Sequence, residues 1–362
     1  MLKQRYKIFV LKKMFTFEKN HFMLKNMLKI LQAVALILMA AGCSTPQKHN
    51  AYTTIEGSVW HTTMRITYGS ERDLKDSVIA VTNRVEASLS PFLPDSRISL
   101  INRNEDMTTD GYIERVFAES QRVNAASGGA FDPTVAPLVN LWGFGYDGYD
   151  GEPTREQTDS CLALVGIADC RTEGGVMVKK APGTQFNFSA ITKGFGIDCV
   201  AEMLRNEGIE NYMVEIGGEM ALRGRNRNGE KWHIQIDAPV LDNTEHERLV
   251  MIEVTDCCIA TSGNYRNYRA TSGGRVGHTI SPVTGVPYAN DVMSATVIAS
   301  STMTADALAT ALMAMDARAG LTMIEGMEDV EALLVIADGE GWRLMKTPGF
   351  PLREPSCEPE RR

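Results

Sequence analysis

The sequence predicts a mixed α/β (α+β) fold, a largely antiparallel sheet flanked by helices, and two observations carry that prediction. Strand-period and helix-period segments follow one another without the strict alternation that a parallel βαβ sheet requires. The composition, 44% hydrophobic and 23% charged over 362 residues with no low-complexity filler, suffices to bury one large core or two fused lobes.

The first element is a leader. Lys25 and Lys29 precede an apolar run over residues 30–41 that is interrupted only by Gln32 and ends in small residues before Cys43. This pattern is that of a signal peptide (residues 1–42) closing on a lipid-acceptor cysteine, Cys43. The run is shorter than the roughly 20 apolar residues of a membrane span, which makes a transmembrane anchor the alternative reading. Met39-Ala40-Ala41-Gly42-Cys43 resembles bacterial lipoprotein signals, with Ala40 where Leu is commoner. Residues 1–22 add charges and Phe that no signal needs, and Met23 or Met27 would each begin a conventional one, so the start reads as over-extended. A polar linker over 43–53 then leads to a globular domain over 54–347.

Within that domain the chain reads as a strand over 59–68 and a helix over 73–89. A second helix, 114–126, is stopped by Gly128-Gly129, and a third spans 155–164. Strands follow near Val176 and Gln185, then a long helix over 191–205 and a strand over 212–216 that runs into Gly217-Gly218. Further strands are expected at 232–236, 249–254 and 295–298, an apolar helix at 304–315, and a closing pair at 332–337 and 342–345. The tail, 348–362, carries Pro351, Pro355 and Pro359 among charges and reads as surface-draped.

Charge narrows the function classes. With 37 Lys+Arg against 45 Asp+Glu the net charge is −8, and no basic run interleaved with aromatics follows the first 30 residues. Nucleic acid is therefore not an expected partner. Cys161, Cys170, Cys199, Cys257, Cys258 and Cys357 form no C-x-x-C pair and have no His at ligand spacing, so they read as small buried hydrophobes and not as a zinc site. An exported location permits, without requiring, a Cys161–Cys170 disulfide.

Gly143-Phe144-Gly145-Tyr146-Asp147-Gly148 satisfies G-x-G-x-x-G, yet it follows no strand and opens no helix, so it reads as a loop. Asp306 and Thr310 sit four apart and share one face of a helix rich in Ala, Leu and Met. A carboxylate and a hydroxyl so placed suit a hard cation such as Mg²⁺. The alternative is that Asp306 favours the helix dipole while Thr310 bonds a backbone carbonyl. Residues 187–198, with Lys193 and Asp198, turn from strand to helix through small residues, an anion-attracting start. His278 lies in a turn-rich segment, Gly277 to Gly285, where it is either structural or catalytic.

Joined to Leu89-Ser90-Pro91-Phe92-Leu93-Pro94-Asp95-Ser96, to the stretch from Gly129 to Gly145, to Glu215-Ile216-Gly217-Gly218-Glu219 and to Ala260-Thr261-Ser262-Gly263-Asn264-Tyr265, these fragments resemble the ApbE family in its usual order, over residues 57–337. The resemblance implies an FAD:protein FMN transferase. It implies Mg²⁺ held by Asp306, Thr310 and the backbone carbonyl of Ala190, and His278 as the candidate for the chemistry. FAD contacts are implied at Trp60, Phe92, Ala130, Phe131, Asp132, Asn187, Lys193 and Ile280. The chain departs from the pattern at Trp60-His61-Thr62, where relatives commonly have Met-Gly-Thr, and at Asn187 and Ser281, where many have Asp. If that second Asp orients His278, Ser281 lowers activity. The resemblance further implies threonine acceptors on periplasm-facing subunits of Rnf-type and sodium-translocating NADH:quinone reductase complexes. That agrees with a lipid-anchored envelope protein facing the periplasm, on the inner membrane. An FAD pyrophosphatase and a flavin-storing lipoprotein are the rival readings.

Overall fold

In the computed structural model, which describes residues 51–146, 151–240, 247–263, 268–271, 274–288, 290–339 and 341–352, the chain opens with a β-hairpin. Strands β1 (Thr53–Val59) and β2 (Thr62–Tyr68) pair antiparallel, Val59 opposite Thr62. One strand was expected over 59–68. Trp60 and His61 instead form a two-residue turn with φ of 49° and 60°. Positive φ at both positions suits the twist of a hairpin, but it usually draws Asn or Gly, so the turn carries no residue-type signal. The chain divides into two units, Met1–Asn50 and Ala51–Arg362, and every described residue belongs to the second. The signal peptide, Cys43, Cys357 and residues 353–362 lie outside the described residues.

Helices α1 (Lys75–Leu89), α2 (Arg97–Asn102) and α3 (Gly111–Ala126) follow. Asp110 caps α3 by accepting from the N–H groups of Tyr112 and Ile113, which sets its start three residues before the apolar period suggests. Two short elements, α2 and α4 (Ala136–Leu141), have too few turns to display a period and were not expected. Helix α5 (Arg155–Leu162) begins on a Thr154/Gln157 capping box. Strands β3 (Arg171–Glu173) and β4 (Val176–Val178) form a small hairpin, whereas Gln185 makes only an isolated bridge to Val135. Cys161 and Cys170 are free thiols, the latter accepting from Lys180 N–H.

Helix α6 (Ser189–Asn206) leads into β5 (Tyr212–Ile216) and β6 (Glu219–Arg223). Then come β7 (Trp232–Asp237), β8 (Arg248–Val254), β9 (Cys257–Gly263), β10 (Tyr268–Thr271), β11 (Gly274–Gly277) and β12 (Val292–Ala299). Helices α7 (Thr302–Met313) and α8 (Ala317–Glu325) and strands β13 (Glu331–Asp338) and β14 (Gly341–Lys346) complete the chain. Eight strands form one sheet in the order β1-β2-β5-β6-β9-β12-β13-β14, and each neighbouring pair is antiparallel.

Alternation along these strands makes two cores. Ala221, Ala260, Val297 and Leu334 point to the helix-covered face, while Leu222, Ile259, Ile298 and Leu333 point to the β7–β8 hairpin. Strand β12 is therefore buried on both sides, which explains why its sequence is mostly apolar and its two hydroxyl residues, Ser294 and Thr296, are buried as well. Phe350 is 3% exposed within the hairpin core, so the segment read as a surface tail is packed as far as that residue. Among the described residues no helix is long and apolar enough to cross a membrane.

The joint between α6 and α7 positions everything that follows. Asp198 on α6 accepts from Ser301 Oγ at 2.8 Å and from the N–H groups of Thr302 and Met303 at 2.9 Å, capping α7. Four residues earlier on the same face, Gly194 lets the helices touch. A Cβ there would meet the Thr302 carbonyl oxygen at 2.3 Å.

Candidate active site

Between the start of α6, the β5–β6 turn and α7, six segments enclose a cavity of about 280 Å³. Its lining includes Ala130, Phe131 and Asp132 from the loop before α4, and Asn187, Ala190 and Lys193 from the start of α6. Gly217 and Glu219, Thr261 to Gly263, His278 and Ile280, and Asp306 and Thr310 on α7 complete it. Of the residues expected from sequence, Trp60 and Phe92 are not among this lining. The Trp60 indole packs over Gly196, where a Cβ would meet its ring at 2.1 Å, and its Nε1 is buried without a hydrogen-bond partner. Phe92 is 55% exposed and meets Tyr146 edge to face at 6.2 Å.

Asp306 is buried, and Gly194 N–H donates to its Oδ2 at 2.9 Å. In a regular helix that N–H is the partner of the Ala190 carbonyl. Asp306 thus competes for the donor that would occupy the Ala190 oxygen. Thr310, one turn along α7, has its hydroxyl 3.4 Å from Ser262 Oγ. Burial raises the Asp306 carboxyl above its ordinary range, against the lowering effect of Lys193 and the Gly194 N–H. A desolvated carboxylate is best compensated by a cation. Among the described residues no three His, Cys, Asp or Glu side chains converge on a metal-sized space. The available set is all oxygen, one carboxylate, one hydroxyl and one carbonyl, and it fits a hard divalent cation that completes its sphere with phosphate and water.

Lys193 Nζ donates to Glu219 Oε1 at 2.6 Å. Glu219 is placed by a two-residue turn, Ile216 opposite Glu219, whose glycines Gly217 and Gly218 take φ of 66° and 100°. This geometry is open to glycine and strained for other residues. Glu219 is 3% exposed and its Oε2 has no hydrogen-bond partner. Burial drives its carboxyl up to about 7, the Lys193 charge pulling it down and Asp306 pushing it up. Sequence reasoning included Glu219 in a motif but gave it no role. The signal available was a Gly-Gly turn ahead of an acid.

Other expected contacts have structural duties as well. Both Asp132 oxygens are engaged, Oδ1 by Thr134 and Oδ2 by Ile167 N–H, so this carboxylate braces its loop. The Phe131 ring is buried in the core. Asn187 Oδ1 accepts from Ser189 N–H at the start of α6. His278 lies half-buried with its ring 6.4 Å from Phe144, edge to face. Ser281 Oγ accepts from Val283 and Thr284 N–H, so the hydroxyl holds the turn beyond His278. Trp142 Nε1 ties the same turn to α4 by donating to the Gly285 carbonyl at 2.8 Å.

The cavity thus gathers a cation-ready oxygen set, an ammonium and an imidazole. These are the elements of metal-assisted transfer at phosphorus. The model of the ApbE family matches residues 57–334. The FAD:protein FMN transferase of Vibrio cholerae is 38% identical over 330 residues, covering 88% of this chain and 97% of the relative. That of Haemophilus influenzae is 35% identical, covering 76% of this chain and 83% of the relative. Among solved structures, the flavin transferase ApbE from Vibrio cholerae superposes with a TM-score of 0.75 at 35% identity, covering 82% of this chain and 97% of the other.

Proposed function

Because the chain belongs to the ApbE family, we propose that it transfers the FMN half of FAD to a threonine hydroxyl of an acceptor protein, releases AMP and requires Mg²⁺. It is a flavin transferase. The observation that carries the finer reading is the convergence of Ala190, Lys193, His278, Asp306 and Thr310 on one cavity from three separate stretches of chain.

Asp306, Thr310 and the Ala190 carbonyl would hold the cation, which neutralises pyrophosphate charge when bound. Lys193, which lines the same cavity, adds a second positive charge. The threonine oxygen forms a bond to the phosphorus of the FMN half as the bond from that phosphorus to the bridging oxygen breaks, and AMP departs with that oxygen. His278, as a neutral imidazole, takes the proton released by the hydroxyl.

This reading includes a lipid anchor at Cys43 that holds the enzyme on the periplasmic side of the inner membrane, with FMN-carrying subunits of Rnf-type or sodium-translocating NADH:quinone reductase complexes as acceptors. The support is the leader and acceptor motif in the sequence. AMP release is the test. AMP that appears only with FAD, Mg²⁺ and an acceptor subunit together supports transfer. Equal AMP without acceptor makes the protein a pyrophosphatase, and none under any condition contradicts the proposal.

A further inference from the structure

Two buried carboxylates, Glu219 and Asp306, and one ammonium, Lys193, share the floor of the cavity. Lys193 is within the electrostatic reach of both acids, yet its hydrogen bond goes to Glu219 Oε1, at 2.6 Å. Since Oε2 has no partner, compensation of the Glu219 charge falls on that ammonium. The Gly217-Gly218 turn fixes Glu219, and packing leaves little room to adjust, for a Cβ on Gly217 would lie 3.1 Å from the Thr62 side chain.

We propose that Glu219 is a positioning residue that keeps Lys193 away from Asp306, leaving the Asp306 carboxylate available to the cation. Without Glu219, the flexible Lys193 stem can carry its charge onto the nearest remaining buried acid, which is Asp306. An internal Lys–Asp pair then competes with the metal for the same oxygens. The inference rests on the cation site proposed above and assigns its regulation to a residue outside the ligand set.

The test is cation binding by the purified protein without FAD, with Mn²⁺ as the probe, followed by its electron paramagnetic resonance signal. Wild type should bind Mn²⁺ in a manner lost in Asp306→Ala. Glu219→Gln, which conserves shape, should bind about tenfold to a hundredfold more weakly, the range usual for groups that orient metal ligands. In a Lys193→Met background the same Glu219→Gln change should cost little, because no ammonium remains to be released. An equal loss in both backgrounds, or no loss in either, overturns the role given to Glu219. If wild type shows no Asp306-dependent binding, the cation site itself is wrong and this inference falls with it. Thermal melts of each variant verify that the folded protein is being compared.

Discussion

The main-chain N–H of Gly194 donates to Asp306 Oδ2 across 2.9 Å, and this bond joins α6 to α7 beside the proposed cation site. It requires that no side chain stand between the helices. A Cβ on Gly194 would meet Thr302 O at 2.3 Å and Asp306 Cβ at 2.9 Å.

Gly194→Ala should therefore separate the two helices locally, costing about 1–3 kcal/mol of stability as an overpacked core position. Melting temperature should fall, and the Mg²⁺ concentration for half-maximal transfer should rise. A variant with wild-type stability and wild-type Mg²⁺ demand would show that the contact does not hold the site.

Much of this joint was legible in the sequence. Asp306 and Thr310 at i and i+4 announced a shared helix face, and the small residues between Ser189 and Gly196 announced a close helix start. Strand β5 and the long α6 were readable because strong periodicity met clear Gly breaks. The Trp60–His61 turn was not, because its positive φ values are enforced by pairing of β1 with β2 and not by residue type. Glu219 was missed for a related reason. Its partner Lys193 is 26 residues away, and its burial follows from sheet register, which a single sequence does not display.

Burial holds the Glu219 carboxyl at about 7 against an ordinary 4.5. Between those values the unfolded chain has released the proton and the native protein retains it, so the stability linked to this group is full below 4.5 and is lost as pH rises through about 7. At 1.36 kcal/mol per pH unit the loss is bounded at about 3 kcal/mol. In EDTA, the melting temperature of wild type should drop relative to Glu219→Gln on going from about pH 5 to about pH 8. Parallel curves for the two proteins would contradict the assignment.

His278→Ala should bind FAD and yet transfer FMN at least about a hundredfold more slowly, since a positioned base typically contributes about 10² to 10⁴ in rate. Single-turnover transfer at saturating FAD is the measurement. Weakened FAD affinity with a near-normal single turnover would make His278 a contact or a brace for the loop.

Cys43→Ser should remove the lipid and shift the protein from the membrane fraction to the soluble one. Metabolic labelling with palmitate reads this directly. Equal label in the variant and in wild type would place the anchor elsewhere.

The central claim is most directly tested by the intact mass of an acceptor subunit after incubation with purified enzyme, FAD and Mg²⁺. The account predicts a mass increase of one phosphoester-linked FMN on an acceptor threonine, absent with EDTA and absent with Asp306→Ala. An unchanged acceptor mass with wild type, or the same increase with Asp306→Ala at limiting Mg²⁺, would contradict it.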